Sequence, residues 1–398
     1  MRAYSVVDLG FGDAGKGLVT DWLVRHARAT AVVRFNGGPQ AGHTVVAPDG
    51  RRHTFSSFGA GSFVPQVETY LSRHVALHPT AMAVEAQALS DKGVTQVLSR
   101  TFIHRDCPVI TPFHQAANRL RELARGKYRH GSCGVGHGDL VDDTLHRPDS
   151  VIRAHELWSR PSRLRKKLES LQEHKRAELR AAAPGLESDE WDMLESDAVI
   201  ERWLVRLESV TASAHLFETL PKATTVFEGA QGVLLDERAG FAPHTTWSNC
   251  TFDNAASLWA EAAPGVPLMK IGVMRTHMVR HGAGPLPTET TAFAHAVTHE
   301  SNVDNPWQGP VRYGWFDAPL VRRSIKLCQG LDALAITHVD LGTRESLHFV
   351  DEGGQLNDMG PTPASRIAEV LDVPLALQAS GPSSRDVTSL DNRLNSRA

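Results

Sequence analysis

Residues 10–17 read GFGDAGKG, an aspartate and a lysine set among four glycines. Where a strand passes into a helix, the backbone N–H groups of such a loop can cradle phosphate, and Lys16 would add positive charge. The run fits the G-x-x-x-x-G-K pattern of a phosphate loop, but Gly17 stands where Ser or Thr should hold Mg²⁺. It also fits G-x-G-x-x-G, which arises easily by chance. A carboxylate inside a phosphate loop repels the anion unless a metal lies between them or the carboxylate is a base. Asp13 is therefore a candidate base or metal ligand, and a tight strand-to-helix turn is the plainer alternative. Residues 34–44, RFNGGPQAGHT, place His43 among glycines. That implies close backbone approach to a ligand with His43 as a general acid, or a histidine that only caps a turn. Residues 227–236, FEGAQGVLLD, put Gln231 in a Gly-flanked turn. Its amide offers a donor and an acceptor and can read a base edge.

These loops need strands to deliver them. Apolar runs predict strands at residues 5–9, 31–35, 224–228, 268–273 and 334–339, and helices at 18–28 and 120–125. The β–loop–α–β order predicts an α/β fold: a large central, mostly parallel sheet flanked by helices, with P-loop-like nucleotide sites at the carboxyl ends of strands. We expect one domain over 1–398, with an inserted helical region at 150–220. There, residues 160–179 are highly charged with leucines at helical spacing, Pro184-Gly185 breaks the run, and a second helix is predicted over 189–217. Residues 386–398 are polar and are expected to form a flexible tail.

Composition limits the function classes. The 398 residues are 41% hydrophobic with net charge −3, enough apolar surface for a sizeable core and no general bias toward nucleic acid. Acidic residues interleave the basic ones at 160–179, which argues against a nucleic-acid patch. No run approaches a membrane span, and the start of the chain shows no signal peptide. Cys107, Cys133, Cys250 and Cys328 are widely spaced, as in a cytoplasmic protein with free thiols. Among twenty histidines, His277 and His281 come nearest to a cluster, and scattered surface and core positions are the expectation.

Together the three segments, GD-x-GKG, R-x-x-GG-x-x-AGHT and FEGAQG-x-LLD, resemble the adenylosuccinate synthetase family in motif, order and spacing. The likeness continues through HTTWSN at 244–249, RHGAGPLPTE at 280–289, YGWFD with VRR at 313–323, and SGP at 380–382. The resemblance implies that Asp13 takes the proton from N1 of IMP, so that O6 attacks the γ-phosphate of GTP. His43 would stabilise O6 and the transferring phosphoryl group, with Gln231 beside them. Asp13 and the Gly42 carbonyl would hold Mg²⁺. Gly12, Gly15, Lys16, Gly17, Gly42 and Thr44 would surround the phosphates. Gln40, Ser132, Cys133, Gln231 and Thr246 would meet the purine nucleotide. Arg147 would reach the nucleotide of a neighbouring subunit, implying a homodimer. His338, Asp340 and Gly381 would meet guanine, and Arg312 and Trp307 belong to the amino-acid loop.

Some positions depart from the family pattern. Ala14 follows Asp13 where a Glu is usual, Gln40 replaces an Asn, and Val135 replaces an Arg. His338 replaces the Lys that packs on guanine, which leaves ATP open as a donor. In 303–312, VDNPWQGPVR, only Arg312 remains of the arginines that clamp aspartate. The main expectation is the IMP, GTP and aspartate reaction. The alternatives are the same chemistry with another amine or purine, and a non-catalytic nucleotide-binding paralogue. Retention of both Asp13 and His43 speaks against the last.

Overall fold

The computed structural model describes residues 1–297, 307 and 309–394. Its centre is a ten-stranded sheet. In chain order the strands are β1 (Ala3–Asp8), β2 (Ala31–Arg34), β3 (Glu68–Leu71), β4 (Thr101–His104), β5 (His215–Phe217), β6 (Thr225–Glu228), β7 (Leu268–Arg275), β8 (Ala333–Thr337), β9 (Leu375–Ala379) and β10 (Val387–Ser389). They lie in the order β10-β9-β8-β7-β1-β6-β2-β3-β4-β5, all pairs parallel except β9 with β10.

The central strands explain themselves. β1, β2 and β6 are buried at every residue. A parallel strand covered by helices on both faces must be apolar along its whole length, which the near-continuous runs YSVV, AVV and TVF supply. Helix Lys16–His26 covers one face through Leu18, Val19, Trp22 and Leu23. The inserted region packs helices Pro161–Ala182 and Ala198–Thr211 with Pro79–Ser90 and Pro112–Arg125 around a second apolar cluster.

Three expectations need correcting. The second inserted helix does not run unbroken over 189–217: two short turns, Asp189–Trp191 and Asp192–Glu195, precede Ala198–Thr211. His215–Phe217 then extends as β5 because β4 offers it a parallel partner. The strand expected over 334–339 ends at Thr337, since His338 takes a left-handed φ of 58° and starts a short 3₁₀ turn, Val339–Thr343. Residues 386–394 are not a free tail: β10 pairs with β9, and Leu394 is fully buried in the core beside Trp22 and Leu377. Residues 395–398 lie outside the described residues. Among those described, no helix is long and apolar enough to cross a membrane.

Candidate active site

The strand ends converge on one cleft of about 1420 Å³. The loops after β1, β2, β6, β8 and β9 all reach it, the place where an open parallel sheet presents ligand sites. Asp8, the last residue of β1, organises the first loop. One carboxylate oxygen accepts the N–H of Gly10 at 2.8 Å and of Gly12 at 3.4 Å, and the other accepts Ala14 N–H at 2.8 Å. The buried Lys16 ammonium donates to Asp8 Oδ2 at 3.2 Å and to the Gln231 carbonyl at 2.7 Å. Thr337 Oγ1, at the end of β8, donates to the Ala14 carbonyl at 2.8 Å. The β6 turn lies so close that a Cβ at Gly232 would come 2.3 Å from the Gly10 carbonyl oxygen, so only glycine fits there.

Asp13 stands on this loop with φ 63° and lines the cleft. Its Oδ2 is 2.8 Å from His281 Nε2, and its carbonyl accepts Arg275 Nε–H at 2.6 Å. Burial pushes the Asp13 carboxyl up, but the His281 hydrogen bond and charge, with Arg275 and Lys16, outweigh it and hold it at about 2. Asp13 is thus ionised at neutral pH. His43 faces the same cleft from the loop after β2, with Nδ1 2.6 Å from Glu228 Oε1 at the end of β6. Burial pushes the His43 imidazole below the usual histidine range, against the pull of Glu228. Burial also pushes Glu228 up, but His43, Arg34 and the Ala60 N–H outweigh it and keep that carboxyl low. A neutral imidazole therefore donates its Nδ1–H to an ionised Glu228.

Gln40, Ser132, Cys133, Gln231 and Thr246 line the cleft together. Both amide atoms of Gln40 and the Gln231 Oε1 are buried with no hydrogen-bond partner among the described residues. Buried polar groups are normally paired, so these amides are set up for a polar ligand. Ser132 Oγ donates to Asn118 Oδ1 at 2.7 Å, and burial pushes the Cys133 thiol up to about 11, which keeps it protonated. Gly12, Gly15, Lys16, Gly17, Gly42 and Thr44 border the cleft, as do His338, Asp340 and Gly381. Asp340 Oδ2 accepts Arg344 Nη2–H at 2.6 Å.

Three expected residues stand apart from the cleft lining. Arg147 pairs with Asp143 at 2.5 Å. Arg312 is engaged by the protein itself. Its Nε and Nη2 donate to the Glu289 carboxylate at 3.0 and 2.9 Å, and its Nη1 to the carbonyls of Gly282 and Gly284, each at 2.9 Å. Trp307 packs over the 131–138 loop: a Cβ at Gly134 would meet its ring at 3.1 Å, and the Arg119 and Arg129 guanidinium groups lie 5.6 and 5.7 Å from the ring centre. Residues 303–306 and 308 of that segment lie outside the described residues.

Asp8, Glu228, Arg275, His281 and Arg344 were missed from the sequence. Asp8 and Glu228 carried a usable signal, because each is an ionisable residue closing an otherwise apolar strand. Asp13, ionised and partly open to the cleft, and Gly42 border the same space. A Mg²⁺ that takes one or two protein oxygens and completes its shell with phosphate and water suits this donor set.

Comparisons with known proteins agree with this architecture. The protein-family model described as adenylosuccinate synthetase matches residues 5–348. An adenylosuccinate synthetase of Nitrosomonas europaea is 36% identical over 343 residues, 85% of this chain and 77% of that protein. One of Neisseria meningitidis is 33% identical over 370 residues, 90% of this chain and 82% of the other. The fold is shared with the fully ligated adenylosuccinate synthetase of Plasmodium falciparum, at a TM-score of 0.74 and 17% identity, covering 98% of this chain and 100% of that one. It is also shared with the succinoaminodeoxyadenylate synthetase of cyanophage S-2L bound to dGMP and dATP, at a TM-score of 0.64 and 20% identity, covering 99% and 97%. With the motif loops gathered at one set of strand ends and sequence similarity running through most of the chain, this protein belongs to the adenylosuccinate synthetase family.

Proposed function

We propose that this cleft binds IMP or a closely related purine nucleotide beside GTP, with Asp13 as the base and His43 as the group that steadies the purine oxygen and the phosphoryl group. Family membership makes the chain a nucleotide-dependent carbon–nitrogen ligase, and the family reaction converts IMP and aspartate to adenylosuccinate using GTP and Mg²⁺. A lactam oxygen leaves poorly and a phosphate leaves well, so phosphorylating O6 before amine attack divides one hard step into two easier ones. Asp13, ionised, accepts the N1 proton. The unpaired Gln40 amide and Gln231 Oε1 serve the purine and its nucleotide. Gly12, Gly15, Lys16, Gly17 and Thr44 surround the phosphates, and Asp13 with Gly42 would hold Mg²⁺, which neutralises phosphate charge. The observation that carries this reading is the joint placement of Asp13 and His43 on one cleft.

A second reading keeps the phosphorylation and changes the amine. It is favoured by Arg312, whose donors are spent on Glu289 and two carbonyls. The donor is also open to ATP, since the cyanophage protein of the same fold was solved with dATP. We further propose a cytoplasmic homodimer in which Arg147 serves the partner's site, with no nucleic acid or membrane as partner. Sedimentation at micromolar concentration tests the dimer. The decisive assay is phosphate release with Mg²⁺, GTP or ATP, and IMP, with and without aspartate, products read by mass. Aspartate-dependent formation of a succinyl purine supports the family reaction. Release that responds only to another amine supports the second reading. No release dependent on IMP or a related purine nucleotide with any amine, or release that Asp13→Asn leaves intact, overturns both.

A further inference from the structure

The turn after strand Met278–His281 is held by two arginines. Arg280 donates to the carbonyls of Ala283, Pro285 and His244 at 3.0 to 3.2 Å, and its guanidinium lies 4.3 Å from the ring centre of Phe11, on the Asp13 loop. Arg312, paired across the antiparallel register with Arg280, holds the carbonyls of Gly282 and Gly284. Gly282 N–H adds a bond of 2.8 Å to the Pro310 carbonyl. The backbone that carries His281 is therefore pinned on both sides, and its ring reaches Asp13 Oδ2 at 2.8 Å. An ionised carboxylate only accepts, so Nε2 carries the hydrogen. Nδ1 is buried with no partner among the described residues, so Asp13 anchors the polar edge of the ring.

We propose that His281 is a positioning residue for Asp13, its Nε2–H holding the carboxylate in the orientation from which the base meets the purine. Arg312 acts at one remove, by fixing the turn that presents His281. A free aspartate side chain samples several rotamers, and a base must sit within hydrogen-bond reach of the proton it takes. Oδ2 bound to a pinned imidazole removes that freedom before substrate arrives. This inference rests on the assignment of Asp13 as the base.

The test compares His281→Leu, which loses the donor, with His281→Gln, which keeps an N–H at similar reach. Small misplacements near the chemistry cost rate more than binding, so in H281L kcat falls about tenfold or more while KM for the purine stays within about threefold. H281Q recovers to within about threefold of the unmodified enzyme. Crystals of H281L show Asp13 in a different or mixed rotamer, and those of H281Q show the original one. A kcat for H281L within about twofold of the unmodified enzyme overturns the proposal, as does an H281Q variant no faster than H281L. Should the unmodified enzyme turn over no purine with any amine, the functional reading falls. The Asp13 rotamer in H281L crystals then decides this inference alone, and an unchanged rotamer overturns it.

Discussion

His43 Nδ1 and Glu228 Oε1 lie 2.6 Å apart at the ends of neighbouring loop and strand, and the second Glu228 oxygen accepts the Ala60 N–H at 3.0 Å. This pair fixes which His43 nitrogen faces the cleft. In the proposed reaction it would also keep a negative charge behind the ring while phosphoryl charge develops in front of it. Glu228→Gln keeps the shape and an acceptor but removes the charge. His43 can stay neutral, but the buried Arg34 loses the charge that Glu228 places near it, and the amide NH2 must face either the Ala60 N–H or His43 Nδ1, so stability falls as well. We expect kcat for phosphate release to fall by about 10- to 100-fold, the range of a lost acid–base contribution. Thermal unfolding measured alongside should show a lower midpoint, and the rate is read well below it so that the two losses are separated.

Asp8 is the hub of the loop at residues 10–17. Asp8→Asn turns one of its two acceptor oxygens into a donor facing backbone N–H groups, and takes the counter-charge from Lys16, whose side chain is 3% exposed. Breaking a buried ion pair on one side costs about 3 kcal/mol, here eased by the remaining bond from Lys16 to the Gln231 carbonyl. Urea unfolding should show a lower midpoint with an unchanged slope. The same variant should bind the donor nucleotide more weakly, because the loop is no longer set. An unchanged midpoint would show that the loop holds its own conformation.

The fold was legible where one strand's own residues decide its fate. YSVV, AVV and TVF are mostly apolar and carry no charge, so a central parallel strand follows from local sequence alone. The glycine loops were legible too, since positive φ and close approach leave a mark in composition. What stayed hidden depends on partners far away in sequence. Glu228 meets His43 across 185 residues, and nothing near FEGAQG announces an imidazole. His281 read as a scattered histidine because the hairpin that aims it at Asp13 is built by Arg280 and Arg312, and the family resemblance assigns Arg312 to the amino-acid loop instead. The end of the chain read as a tail because the three residues of β10 and one buried Leu394 are too short a pattern to register.

Stability should decline in mild acid. Burial pushes both His78 and His137 down to about 4 from the ordinary 6.5. His78 Nδ1 accepts the Ala81 N–H at 3.3 Å to cap helix Pro79–Ser90, so its lone pair must be free. His137 Nε2 donates to the Trp247 carbonyl at 3.1 Å. As pH falls, the unfolded chain takes these protons first. Stability is therefore complete above pH 6.5 and is lost as pH falls toward 4. The loss is about 3 kcal/mol for each group at the lower end. Thermal midpoints across this range check the sign, and His78→Asn, which keeps a capping acceptor without a titrating ring, should flatten the decline.

Asp340 and Arg344 both line the cleft, and we expect the Asp340 carboxylate to set the choice of phosphoryl donor. Their bond of 2.6 Å joins side chains that are 35% and 52% exposed, and such a surface pair is worth at most about 1 kcal/mol. A guanine base offering N1–H and N2–H to the carboxylate can displace it, because two donors on one carboxylate bind more strongly than one exposed guanidinium. Asp340→Asn presents a donor where an acceptor is needed. We expect kcat/KM for GTP to drop by about 10- to 100-fold while the value for ATP changes little, narrowing or reversing the preference. Arg344→Ala frees the carboxylate and should improve KM for GTP by no more than about fivefold, the equivalent of the surface pair. Equal losses for GTP and ATP in the Asp340→Asn enzyme would place the base elsewhere in the cleft. The two variants separate reading of the base from simple electrostatics, since lost charge alone would strengthen binding of both anionic nucleotides rather than weaken one.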